Sequence, residues 1–137
     1  MSQLTIDAST TRPGLFLRRA LQADAAVSAA SGLLMALAAG PLSGLLGLPA
    51  ALLLPAGIVL LPYAALLLWL AGRPVPSAGG VWLVIAANVL WAIDCVLVLV
   101  AGWFQPTGLG VAFVAVQAVT VLLFAELQYI GLRRIGR

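Results

Sequence analysis

Histidine and lysine are absent from this chain, cysteine occurs once as Cys95, and acids occur only as Asp7, Asp24, Asp94 and Glu126. Each scarcity removes a class of chemistry. Without histidine there is no usual axial ligand for a b-type haem, no common zinc ligand and no usual general base. One cysteine forms neither an internal disulfide nor a CxxC redox pair, and is most simply a small apolar filler. No metal site, cofactor or catalytic residue is expected, and the chain is not expected to be an enzyme. Nucleic acid is excluded as a partner, since no basic patch is interleaved with aromatic residues.

Charge itself is scarce. Only 8% of the 137 residues are charged while 64% are hydrophobic, whereas about a quarter of a soluble globule is charged. The composition places the chain in a bilayer as one domain. Four apolar runs are long enough to cross it, at about 21–40, 50–71, 80–102 and 109–132. The fold class expected is therefore all-α: a polytopic membrane protein with four transmembrane helices.

The seven arginines supply the topology. Arg12, Arg18 and Arg19 precede the first run, Arg73 lies between the second and third, and Arg133, Arg134 and Arg137 follow the fourth. Four spans put all of them on one side and leave both uncharged turns on the other. The positive-inside rule then makes both termini cytoplasmic. Residues 1–17 form a cytoplasmic tail, 18–132 the membrane domain and 133–137 a basic cytoplasmic tail. A signal peptide competes for the first run, because Ala36-Leu37-Ala38 resembles a cleavage site. Asp24, Ser28 and Ser31 interrupt that core, so the run is read as a mature helix.

Within the first run Ser28, Gly32, Ala36 and Gly40 recur every four residues, a stripe that admits another helix at close range. Gly40 to Pro49 reads as a short uncharged turn. Pro55 and Pro62 in the second run each remove a backbone donor, which predicts a kinked helix. Tyr63 lies near mid-depth and requires a partner for its hydroxyl, with Asn88 or Asp94 the available choices. Trp69 and Trp82 flank the Arg73 loop as interfacial anchors.

The polar residues of the spans form the candidate site: Asp94, Asn88, Trp91, Asp24, Glu126, Tyr63 and Gln117. At about 1.5 Å per residue, Asp24 lies roughly 8 Å inward from Arg19, Glu126 about 10 Å from Arg133 and Asn88 about 12 Å along its helix. These share a layer in the cytoplasmic half, while Asp94, at about 21 Å, lies deeper. A central Asp costs about 2.5–3.5 kcal/mol on insertion scales, so the third helix pays for Asp94 with its many aliphatic residues. Asp24 and Glu126, being shallow, are expected to reach the interface or pair with Arg18, Arg19 or Arg133. Gln117, Thr120, Phe124 and Gln128 share one face of the fourth helix and Glu126 the opposite one. A monomer turns only one of these inward, which implies a homo-oligomer or another membrane protein as partner. A shift of 64 residues aligns Ala23-Asp24 with Ala87-Asn88, a similarity that chance can produce in so Ala- and Leu-rich a chain.

Ala87-Asn-Val-Leu-Trp91, Gln117-Ala, Phe124-Ala-Glu-Leu-Gln-Tyr129 and Gly131-Leu-Arg-Arg134 resemble a group of uncharacterised small bacterial four-helix integral membrane proteins. The resemblance implies the architecture and a bacterial inner-membrane location, and brings no activity with it. The first functional expectation is a scaffold, accessory or lipid-interacting bundle, with membrane lipids as partners. The alternative is a small oligomeric transporter or channel for a proton, ion or small solute using Asp94.

Overall fold

The computed structural model describes residues 14–135. Asp7, Arg12 and Arg137 lie outside them, as do most of the amino-terminal tail and the last two residues. Five helices follow in order: α1 (Leu15–Leu37), α2 (Ala39–Leu46), α3 (Ala50–Ala71), α4 (Ala78–Val100) and α5 (Gly108–Ile135). Four of them, all but α2, are long and apolar enough to cross a membrane.

Two boundaries depart from expectation. α1 starts at Leu15, so Arg18 and Arg19 belong to its first turns rather than preceding it. α3 has the expected bounds, with Pro55 and Pro62 inside it. The expected turn after the first run is instead largely the helix α2. Pro41 is tolerated there because it occupies the first turn, where its missing N–H has no intrahelical partner. Gly47 ends the helix with φ of 70°, a conformation glycine adopts without a Cβ penalty.

The two ends of the bundle are chemically distinct. At one end Arg18 Nε donates to the Ala71 carbonyl at 2.8 Å. There the Arg134 guanidinium lies 4.5 Å from the centroid of Phe16, and Arg73 stacks on Trp69 at 4.3 Å. All five described arginines belong to this end. At the other, uncharged end, the Thr107 hydroxyl donates to the Leu45 carbonyl at 2.8 Å and accepts from Gly110 N–H at 3.1 Å. One threonine thereby caps α5 and ties it to α2.

Packing is uneven around the bundle. α1 lies against α3, and α4 against α5, whereas α3 hardly touches α4. The first hairpin is in backbone contact where Gly32 faces Gly57, so the predicted small-residue stripe does admit a neighbouring helix. The 64-residue offset reappears in burial. Leu17 and Val81, Ala20 and Val84, Leu21 and Ile85, Asp24 and Asn88, and Ser28 and Ala92 are buried in pairs on α1 and α4. The two hairpins run in the same sense, each starting at the arginine end, and present corresponding faces to each other.

Two apolar clusters fill the interior. One surrounds Leu17, Leu21, Leu67, Leu70, Val81 and Val84 at the arginine end. The other surrounds Met35, Leu46, Leu53, Leu60, Cys95 and Val114 toward the uncharged end. Between them lies a polar layer.

Candidate functional site

Asp24 is the centre of that layer. It is 1% exposed and accepts from three side chains on three helices. Asn88 Nδ2 of α4 donates to Oδ2 at 2.9 Å, and Gln128 Nε2 of α5 donates to the same oxygen at 2.7 Å. Ser28 Oγ, one turn along α1, donates to Oδ1 at 3.1 Å. Asn88 Nδ2 also donates to Gln128 Oε1 at 3.1 Å, and Tyr63 of α3 donates from its hydroxyl to Asn88 Oδ1 at 2.9 Å. Every membrane-length helix thus contributes to a closed network, α1 with Asp24 and Ser28 and the others with one residue each. No buried side-chain polar atom among the described residues lacks a partner.

The network explains why polar residues persist in so apolar a chain. An unsatisfied amide in hydrocarbon costs several kcal/mol, so each member is held by the others. Interhelical hydrogen bonds in membranes contribute about 0.6 kcal/mol each on average and up to about 1.7. The set therefore fixes azimuth and depth for four helices at once. A lesser polar contact lies nearer the uncharged end, where Trp91 Nε1 donates to Gln117 Oε1 at 2.9 Å. Gln117 in turn points its amide at Met35 Sδ, 3.9 Å away.

The expected site residues separate into three groups. Asp24, Asn88 and Tyr63 come together, and the Tyr63 hydroxyl finds Asn88 rather than Asp94. Trp91 and Gln117 pair apart from them. Asp94 and Glu126 are exposed on the bundle surface and join neither group. The expectation that Asp24 reaches the interface or pairs with arginine is overturned: it points into the bundle, where donors from α4 and α5 hold it. Ser28 and Gln128 complete the network. Their signal lay in the i, i+4 spacing of Asp24 and Ser28, and in the polar face that Gln128 shares with Gln117.

Asp24 and Ser28 also border open space. A cavity of about 440 Å³ separates α1 from α5. Leu45 and Leu46 of α2 form part of its wall, and nearer the arginine end α1 and α5 meet where Gly131 packs directly on Leu17. Val27 and Val116, both partly exposed, flank its side opening. Apart from Asp24 and a few hydroxyls and amides its wall is hydrocarbon, with Phe113 and Phe124 the aromatic contributors. Two smaller cavities of about 270 and 150 Å³ lie along α4, sharing Ser28 or Gln117 with the wall of the first, and Trp91 and Asp94 border both. The hairpins are therefore joined at the polar layer and parted beside it.

No protein-family model, curated protein or solved structure matches this chain.

Proposed function

We propose that this chain is a non-catalytic, multi-pass protein of the bacterial inner membrane, with both termini in the cytoplasm, that holds an amphiphilic, lipid-like molecule between α1 and α5. The observation carrying this reading is the side-opening cavity of about 440 Å³. That volume falls within the roughly 300–1,000 Å³ of small-molecule sites, and its hydrocarbon wall with a few convergent polar groups is the usual composition of one. The orientation is supported by the arginine-bearing end, since positively charged ends remain on the cytoplasmic side.

Ala112 lines the opening, and Ala112→Trp is expected to fill it with an indole. Native mass spectrometry of protein released from nanodiscs should show amphiphile adducts on the unaltered chain and at least a five-fold smaller adduct fraction on the variant. Equal adduct fractions on the two proteins exclude the cavity as the binding place.

Asp94 supports a second reading, a small oligomeric transporter or channel. It borders both of the smaller cavities along α4, and an ionisable residue within a membrane span is a functional candidate by default. The exposure of Asp94 and Glu126 on apolar helices further supports self-association or a second membrane protein covering those faces. On this reading Asp94→Asn lowers proton-coupled flux in liposomes at least ten-fold while leaving assembly intact. Unchanged flux removes Asp94 from any path.

A further inference from the structure

We propose that the molecule held between α1 and α5 carries a single positive charge, so that the cavity takes a lipophilic organic cation, an amine or quaternary ammonium with an apolar tail, whose charged group meets Asp24. The inference rests on the cavity reading above and names the chemistry of its occupant.

The charge balance of the site is the first argument. Asp24 is the one acid on the cavity wall, and no basic side chain lines it. Its hydrogen-bond partners are a hydroxyl and two neutral amides. Arg18, on the same helix, directs its guanidinium to the Ala71 carbonyl at the bundle end. The protein thus supplies Asp24 with dipoles and with no counter-charge. A carboxylate kept from water with dipoles alone retains a large attraction for a cation, because little solvent screens it.

Position is the second argument. Asp24 and Ser28 belong at once to the polar network and to the cavity wall, so a charged group arriving from the cavity meets the carboxylate by displacing one of its neutral donors, Asp24 itself being 1% exposed. Asn88 Nδ2 also donates to Gln128 Oε1 at 3.1 Å, so Asn88 keeps an acceptor if a cation takes its place on Oδ2, and Gln128 Nε2, bonded to that same oxygen, is the donor that must turn away. The remaining wall suits the remainder of such a molecule. Phe113 and Phe124 offer aromatic faces of the kind that attract ammonium groups and accept alkyl chains alike. The side opening faces hydrocarbon, where tailed amines concentrate.

One charge is the number the site matches. A dication would leave one charge unpaired in an apolar cavity, and an anion would meet Asp24 as a like charge. A neutral amphiphile fits the volume and gains nothing from the carboxylate.

The test compares three probes with the same tail: dodecyltrimethylammonium, dodecanol and dodecyl sulfate. Each is titrated into nanodiscs containing the full chain, with partition into empty nanodiscs subtracted. The cation is expected to bind at least ten-fold more tightly than dodecanol, and dodecyl sulfate more weakly than either. Asp24→Asn keeps the side-chain shape and is expected to reduce cation affinity at least ten-fold while sparing dodecanol. Thr120→Lys places an ammonium of the protein's own in the same cavity and is expected to do likewise, which keeps the test decisive if Asp24→Asn does not assemble. Cation affinity equal to that of dodecanol, or unaltered in a folded variant, overturns the inference while the cavity reading stands. Absence of saturable binding by any probe, or binding unaffected by Ala112→Trp, overturns the cavity reading itself.

Discussion

Asn88→Leu is expected to destabilise the bundle by about 2–4 kcal/mol, a loss read from reversible unfolding in mixed micelles. Three hydrogen bonds disappear together: the donations to Asp24 at 2.9 Å and Gln128 at 3.1 Å, and the acceptance from Tyr63 at 2.9 Å. Tyr63 recovers part of its loss, because its hydroxyl already lies 3.3 Å from the Val84 carbonyl. Asp24 recovers nothing comparable and stays buried with one donor fewer. The cost is chiefly that of leaving buried polar partners short of hydrogen bonds, so it is not additive. Replacing Asp24, Asn88 and Gln128 together by leucine is therefore expected to cost less than Asn88→Leu alone. A triple replacement that costs the sum of its parts shows instead that each bond stabilises independently. A single replacement costing under about 0.5 kcal/mol removes the network from any account of stability.

The second large effect concerns backbone proximity. Gly57→Leu is expected to cost about 3 kcal/mol, by over-packing at a point with no room to yield. A Cβ at Gly57 would stand 2.6 Å from the Ala36 nitrogen and 2.7 Å from the Gly32 carbonyl oxygen. Both are main-chain atoms, so no rotamer change relieves the contact and α1 must separate from α3. Gly44→Leu is the control, because a Cβ there meets nothing within 4 Å. It replaces glycine by a better helix former on exposed α2 and is expected to be neutral or slightly stabilising. Similar losses for both variants show that leucine is tolerated or rejected for reasons other than the helix crossing.

These two features were unequally legible in the sequence. The glycine crossing was half visible, since Ser28, Gly32 and Ala36 repeat with the spacing of one helix face and invite a neighbour. The partner glycine carried no such signal on a helix apolar on every side. Depth was legible too: rise per residue placed Asp24 and Asn88 in one layer, and they are bonded. Azimuth was not. On α4 the buried positions are Val81, Val84, Ile85, Asn88, Ala92 and Cys95, and Asp94 falls between turns of that stripe. The neighbours on either face are aliphatic, so hydropathy gives no preference between inward and outward.

Asp24 was misjudged for the related reason that a shallow acid near arginines has two outlets, the interface or a partner. Only the arrival of α4 and α5 decides between them. α2 was hidden because proline and glycine usually signal a turn, and here Pro41 stands in the first turn and Gly47 just past the end. Both positions permit a helix between them.

The separation of the network's members along the chain sets the order in which the protein is made. Asn88 follows Asp24 by 64 residues and Gln128 follows it by 104. At about 5–20 residues per second, translation delivers the last donor roughly 5–20 s after the acid. Until Asn88 is made, Ser28 on the same helix is the one donor to the Asp24 carboxylate, while the glycine face of α1 already suits α3, so the first hairpin is complete before its acid has all its partners. The nascent first helix therefore depends on shelter beside the insertion machinery, or on water reaching Asp24 from the interface, until α5 is synthesised and closes the network.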